Sequence, residues 1–170
     1  MHLVRDALSP LRGGAPLRAA AVCLGSPFRG DDAVGPVVAE RLRAVGAAVL
    51  DCADEPTRLL ELWAGLDTVV VVDALRSGAA PGTLRRVDAG DGPLPRELHL
   101  ASTHALGIAD ALELARTLDR APRRVVVLGL EGGSFGIGEE LTPEVEAALD
   151  GLVAAALAEL GEGAPCTSAP

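Results

Sequence analysis

The feature that most constrains this fold is a run of four consecutive valines, Val69 to Val72, that ends at Asp73. An uninterrupted run of β-branched residues is typical of a strand that is covered on both faces. A second strand pattern, from Arg124 to Leu130, is followed by Glu131. The two runs predict central strands of a sheet with helices above and below it, and an acid stands at the end of each run.

Strand and helix patterns alternate along the rest of the chain. Further strands are predicted from Ala19, at 47–51 and at 83–87, and amphipathic helices after Asp32, near Leu59, after His104 and from Pro143. This order, β-α-β-α-β-β-α-β-α, predicts an α/β fold, a three-layer α/β/α sandwich with a mostly parallel, twisted sheet of about five strands. We expect a single domain at 19–160, with a flexible leader at 1–18 and a disordered tail at 161–170.

Composition narrows the functions that such a domain can serve. The 170 residues carry a net charge of −9 and only 2% aromatic residues, so no surface for nucleic acid is expected. The pairs Arg85-Arg86 and Arg123-Arg124 are interpreted as solvated surface. No segment approaches the ~20 apolar residues that span a bilayer, and the three cysteines have no metal-ligand spacing. We therefore expect a soluble monomer in the reducing cytoplasm, without a membrane partner.

Charged side chains follow several of the predicted strands. Asp31 and Asp32 come after the first strand, Asp73 ends the third, and His104 opens a helix. In open α/β sheets, ligands bind beyond the carboxyl ends of the strands. Two carboxylates and an imidazole, from Asp32, Asp73 and His104, form an open coordination set for a divalent cation, with positions left for water or a substrate. Glu131 could lie near the same rim.

Each of these residues also has a structural interpretation. Asp31 and Asp32 are each as well suited to capping the following helix as to binding a metal, and we assign the cap to Asp31. Asp73 is harder to explain, because an acid at the end of an apolar strand is poorly placed for solvent unless the rim is a cleft. A histidine such as His104 more often makes a structural hydrogen bond, and the other two histidines are interpreted in that way.

Several common catalytic signatures are absent from the sequence. The turn Gly25–Gly30 lacks the Lys-Ser/Thr of a phosphate-binding loop, and no strand is followed by GxGxxG. There is no GxSxG motif, and Cys23 falls inside an apolar strand. Nucleotide binding and nucleophilic catalysis by serine or cysteine are therefore disfavoured.

Five spaced motifs resemble those of the hydrogenase maturation proteases. The motifs are GSPFRGDDAVG at 25–35, VVDA at 71–74, PGT at 81–83, STHALG at 102–107 and LTPEV at 141–145. They follow the order of the family and extend over most of the chain between 19 and 155. Together they are far more specific than any one of them alone.

This resemblance implies an α/β/α endopeptidase that removes a C-terminal peptide from the large-subunit precursor of a nickel-iron hydrogenase, once nickel has been inserted. The nickel is then supplied by the precursor. The metal-contacting residues of the family fall on Asp32, Asp73 and His104. Two positions depart from the family, since Ser26 stands where Asn is usual and Ala33 where Gly is usual.

The resemblance leads to one functional prediction and two rivals. We expect the nickel of the precursor to dock against Asp32, Asp73 and His104, so that an unmetallated precursor binds weakly. Cleavage is either metal-assisted or uses Asp32 or Asp73 as a general base in the manner of an aspartic protease. The rivals are a non-catalytic nickel-dependent assembly chaperone for the same precursor and a small-molecule hydrolase of related α/β architecture.

Overall fold

A computed structural model describes residues 18–50, 60–89 and 105–162. The strands in these ranges are β1 (Ala19–Cys23), β2 (Val49–Leu50), β3 (Thr68–Leu75), β4 (Leu84–Asp88) and β5 (Arg124–Glu131). The helices are α1 (Val34–Ala44), α2 (Ala105–Thr117) and α3 (Pro143–Glu162). A short 3-10 turn, Gly30–Ala33, leads into α1, and residues 60–62 are the described end of a further helical segment. Helix α3 extends two residues into the predicted tail.

The strands form one sheet in the order β2-β1-β3-β5-β4. β1 is parallel to β2 and β3, and β3 is parallel to β5. β4 pairs antiparallel with β5 at the edge of the sheet, as the paired arginines in its sequence favour. The predicted α/β fold with a mostly parallel sheet is therefore confirmed.

Two apolar clusters lie on opposite faces of this sheet, because successive side chains of a strand point to opposite faces. Val69 and Val71 of β3 pack with Trp63 and with side chains of α2 on one face. Val70 and Val72 pack with side chains of α1 and α3 on the other. Burial on both faces explains why the β3 sequence shows no alternation of apolar and polar residues.

Strand β3 extends further than the sequence pattern indicates. It continues to Leu75, so Asp73 lies within the strand rather than at its end. The extension follows from strand pairing, since Asp73 lies beside Gly129 of β5 and Leu75 lies beside Glu131. A pattern that stops at the first charged residue cannot show this pairing.

Other element ends also differ from expectation. β2 covers two of the residues predicted at 47–51. The spacing of Val38, Leu42 and Val45 predicts one apolar side of α1, but the helix ends at Ala44 and Val45 is 64% exposed. The spacing of Val153 and Leu157 likewise predicts that both belong to the apolar stripe of α3, but Leu157 is exposed. None of the helices in the described ranges has the length and apolarity that a membrane crossing requires.

The paired arginines do not all lie in solvent as predicted. Glu159 of α3 is buried and accepts hydrogen bonds from Arg86 Nε and Arg124 Nη2, each at 2.5 Å. The bond from Arg86 is the main cause that lowers the pKa of Glu159, and the same bond raises the pKa of Arg86. Arg86 is exposed, as interpreted, although it also pairs with Glu159. The interpretation as solvated surface was wrong for Arg124, which is 25% exposed, because α3 brings an acid over this edge of the sheet. Arg123 is largely exposed.

Candidate active site

The candidate site lies at the carboxyl edge, which we define as the edge of the sheet where β1, β3 and β5 end. Two loops cover it: the first loop, residues 24–29, follows β1, and the last loop, residues 132–142, joins β5 to α3. The first loop turns at Gly25, whose φ of 119° is disfavoured for other residues. A β-carbon added there would lie 2.0 Å from the carbonyl oxygen of Asp32 and 3.4 Å from its Oδ1. The loop therefore folds back and places Asp32 over Gly25.

The two carboxylate oxygens of Asp32 have different surroundings. The residue is only 6% exposed. Its Oδ2 accepts a hydrogen bond from the backbone N–H of Ser26 at 3.1 Å. Its Oδ1 is buried, and no donor of the described residues reaches it. A buried charged oxygen without a donor costs stability, and it is well suited to bind a cation.

Asp73 lies at the same edge, on the neighbouring strand. β1 and β3 pair so that Cys23 lies beside Val72, which places Asp73 next to the start of the first loop. The side chain of Asp73 is fully buried, and its Oδ1 accepts a hydrogen bond from the N–H of Ala74 at 2.8 Å. The 3-10 turn that contains Asp32 packs against β3. Both predicted carboxylates therefore lie at the carboxyl edge.

The predicted histidine, His104, lies outside the described residues. The next residue, Ala105, begins α2. The other end of α2 lies near the start of β5. There, Arg116 Nη2 donates to the carbonyl oxygen of Ala89 at 3.2 Å. The Ala89 N–H in turn donates to the carbonyl oxygen of Val125, at the start of β5. Helix α2 is thus antiparallel to β5 and begins toward the carboxyl edge. Within the described ranges, no three His, Cys, Asp or Glu side chains are grouped to hold a metal ion, so the three-residue set stays a prediction.

Asp31 does not cap α1, which corrects the assignment made from the sequence. The N-cap residue of α1 is Ala33, which makes no side-chain capping bond. The buried Asp31 carboxylate instead accepts hydrogen bonds from three backbone N–H groups at 2.7–2.9 Å and from a hydroxyl, with donors on Gly133, Ser134 and Thr142. These donors belong to the last loop and are more than 100 residues away. The sequence pattern gave no signal of them.

Glu131 lies at the carboxyl edge, as expected, but its carboxylate is fully paired. It is 2% exposed. Its Oε1 accepts hydrogen bonds from the N–H groups of Ser77 and Gly78 at 2.8 and 2.7 Å, and its Oε2 accepts one from the Ser77 hydroxyl at 2.7 Å. Glu131 therefore fixes the turn after β3 and leaves no oxygen without a donor.

The two departures from the family pattern fit the local backbone. Ser26 donates to Asp32 through its backbone N–H, so this bond does not require an amide side chain. Ala33 has a φ of −74°, which any residue adopts without strain. Neither departure removes a hydrogen bond to Asp32.

Comparisons with known proteins point to one family. A family model for hydrogenase maturation proteases (HycI) matches residues 37–159, a segment that includes Asp73 and begins after Asp32. The chain is similar to the hydrogenase expression/formation protein HupD of Thiocapsa roseopersicina, with 33% identity over 113 residues, 60% of this chain and 50% of that protein. It is also similar to HupM of Azotobacter chroococcum mcd 1, with 30% identity over 118 residues, 69% of this chain and 56% of that protein. The chain thus spans about half the length of these curated relatives.

Solved structures show the same fold. The hydrogenase maturating endopeptidase HybD from Escherichia coli superimposes with a TM-score of 0.75 and 28% identity, over 85% of this chain and 93% of that one. The [NiFe] hydrogenase maturation protease HybD from Thermococcus kodakarensis superimposes with a TM-score of 0.71 and 26% identity, over 84% of this chain and 99% of that one. The fold of most of this chain is therefore one found in solved maturation proteases.

Proposed function

Because this chain belongs to the hydrogenase maturation protease family, we propose that it is a cytoplasmic endopeptidase that removes the C-terminal extension of a nickel-loaded hydrogenase large-subunit precursor. Two similar structures carry the names endopeptidase and [NiFe] hydrogenase maturation protease, which supports both the reaction and the class of substrate. The observation that carries the proposal is the buried Oδ1 of Asp32, which no donor of the described residues reaches.

The nickel of the precursor is the cation that satisfies this oxygen. A divalent cation offsets the cost of a buried carboxylate that the described residues leave half paired. Asp73, buried at the same edge, supplies a second carboxylate. His104, included on the sequence pattern, supplies an imidazole, and nickel accepts nitrogen and oxygen ligands together. A precursor without nickel lacks these bonds, so cleavage depends on prior metal insertion.

Peptide hydrolysis needs a water molecule, a base and a polarised carbonyl group. The water oxygen bonds to the carbonyl carbon, the C–N bond breaks, and a proton from the water reaches the leaving amine. Asp32 or Asp73 takes this proton if the reaction is of the aspartic type. If the reaction is metal-assisted, the nickel polarises the carbonyl and the carboxylates hold the metal. Both routes need the two carboxylates at one edge of the sheet.

The test is to incubate the protein with purified precursor, with and without nickel, and to measure the mass of the large subunit. We expect the nickel-loaded precursor to lose its tail and the nickel-free precursor to remain intact. Asp73→Asn should retain the fold and abolish cleavage, whereas Asp150→Asn, a matched change at a side chain that is 96% exposed, should cleave normally. An intact precursor in a stable complex would indicate an assembly chaperone instead. Normal trimming by Asp73→Asn would remove this residue from the mechanism.

A further inference from the structure

The two most exposed large apolar side chains of the described ranges lie together at the carboxyl edge. Phe28 of the first loop is 74% exposed and Ile137 of the last loop is 86% exposed. The N–H of Gly138, the residue after Ile137, donates to the carbonyl oxygen of Phe28 at 2.8 Å. This bond holds the backbones of the two loops together at these residues, and we call Phe28 and Ile137 the edge patch. Two strongly exposed apolar residues that the fold brings to one place need an explanation that scattered surface residues do not.

The backbone beneath the edge patch is held in one conformation. The N–H of Gly30 donates to the carbonyl oxygen of Glu139 at 3.1 Å, and the N–H of Asp31 donates to that of Ser134 at 2.8 Å. Gly30 has a φ of 53°, and a β-carbon there would lie 2.7 Å from the Ser134 carbonyl oxygen, so only glycine permits this close approach. The Asp31 carboxylate adds its bonds to the same loop. A surface ordered in advance loses little entropy when a partner binds.

The edge patch is continuous with the candidate active site. Phe28 is two residues after Ser26, whose backbone N–H binds the Asp32 carboxylate. The N–H of Phe28 also lies 3.5 Å from the Ser26 hydroxyl oxygen. Phe28 therefore belongs to the same short loop that binds the Asp32 carboxylate.

Charged side chains of both signs occur in the two loops that carry the patch. Arg29 follows Phe28 and is exposed, and Arg76 lies 4.4 Å from the centre of the Phe135 ring in the last loop. Glu139 is exposed beside Ile137, and its carboxylate accepts a hydrogen bond from the Ser134 hydroxyl. An apolar centre with a charged rim is the usual composition of a protein–protein interface.

We propose that the edge patch docks the folded body of the large-subunit precursor, next to the site that receives its tail. The inference rests on the proposed function, since the occupant is the protein whose tail must reach Asp32. A scissile bond near this buried carboxylate brings the body of the precursor against the first and last loops. The patch then supplies affinity that the nickel site alone does not.

The test is the double variant Phe28→Ala/Ile137→Ala, assayed on the nickel-loaded precursor. We expect KM to rise about 10-fold or more, because a central apolar anchor commonly contributes that much to binding, with kcat and Tm unchanged. The matched control is Val45→Ala/Leu118→Ala, whose target side chains are 64% and 50% exposed and follow the ends of α1 and α2 away from the carboxyl edge. The control should leave KM unchanged.

Each outcome separates this inference from the proposed function. If the wild-type protein cleaves the precursor and both double variants have the same KM as it does, the docking role is wrong and the protease stands. If the wild-type protein binds the precursor without cutting it, and only Phe28→Ala/Ile137→Ala raises the Kd, the docking role stands and the protease is wrong. If the wild-type protein neither binds nor cuts the precursor, both are wrong.

Discussion

Two regions of this molecule differ in how completely a buried carboxylate is paired with hydrogen-bond donors. At the β4–β5 edge, Glu159 accepts short hydrogen bonds from Arg86 and Arg124, so its charge is matched by two guanidinium groups. At the carboxyl edge, Asp32 has one backbone N–H on Oδ2 and no donor of the described residues on Oδ1. A paired acid stabilises the fold, whereas a half-paired one costs stability and is available to a ligand. The difference supports the proposal that Glu159 serves structure and Asp32 serves function.

Asp31 and Asp32 show the same contrast between a paired and a half-paired carboxylate within one turn of the chain. Asp31 is adjacent to Asp32 and also buried, yet it accepts four hydrogen bonds from the last loop. Burial alone therefore does not separate these two acids. They differ in the number of donors around each oxygen.

The largest expected effect is the loss of cleavage activity in the variant Asp32→Asn. This change removes the charge from the half-paired carboxylate, and we expect cleavage of nickel-loaded precursor to fall by about 100-fold or more, as for loss of a catalytic base. Stability should be unchanged or higher, because a poorly compensated buried charge is removed. Precursor cleavage by mass spectrometry and Tm by calorimetry check the two parts. A large fall in Tm would show that Asp32 is a structural acid like its neighbour.

The next largest expected effect is a loss of stability in the variant Asp31→Asn. An amide has one acceptor oxygen and would turn its NH2 group toward backbone N–H donors of the last loop, so we expect a loss of about 3 kcal/mol in the free energy of unfolding. Urea unfolding of this variant and of Asp32→Asn, side by side, measures the contrast. Equal stability of the two variants would contradict the distinction drawn between the two aspartates.

A smaller effect is expected in Glu159→Gln, which replaces the acid that Arg86 and Arg124 share. We expect a loss of about 2 kcal/mol in the free energy of unfolding near pH 7, because hydrogen bonds to a charged group are lost and the two arginines are left close together. The control is Glu113→Gln on α2, whose acid makes an exposed contact with Arg116 and should change stability by less than about 0.5 kcal/mol.

The stability difference between wild type and Glu159→Gln should depend on pH. The pKa of Glu159 is lowered in the folded protein from an ordinary value of 4.5, so the unfolded chain takes up the proton at a higher pH than the folded one. The stabilisation is complete above pH 4.5 and is lost as the pH falls through the folded-state pKa. Unfolding curves at pH 7, 5 and 3 measure this loss, and a difference that stays constant down to pH 3 would show that the charge of Glu159 contributes nothing.

Much of the fold was predictable because burial leaves a local pattern. The valine run of β3 and the stripe of α3 through Val145, Leu149 and Leu152 are buried as their sequences indicate. The strand that carries Asp73 was predicted to end there, and it continues to Leu75 because β5 pairs with it. Element ends depend on such neighbours, which the local sequence does not contain.

The candidate site was predictable in part. Asp32 and Asp73 were selected because both follow apolar strands, and a parallel sheet brings such positions to one edge. The role of Asp31 was assigned wrongly, because a carboxylate before a helix is a common cap and nothing nearby in the sequence identifies its true donors. The edge patch was missed for the same reason, since Phe28 and Ile137 are more than 100 residues apart.

The sequence by itself determined the alternating α/β architecture, the family and the acids that follow the apolar runs, because each of these is recorded in residue type and spacing. Only the tertiary structure decided which acids are paired, where β3 ends, and that two loops at the carboxyl edge expose Phe28 and Ile137 together. The physical reason is that hydrogen-bond donors and packing neighbours come from distant parts of the chain. The charge of a buried carboxylate is then satisfied or left unmatched by the fold as a whole.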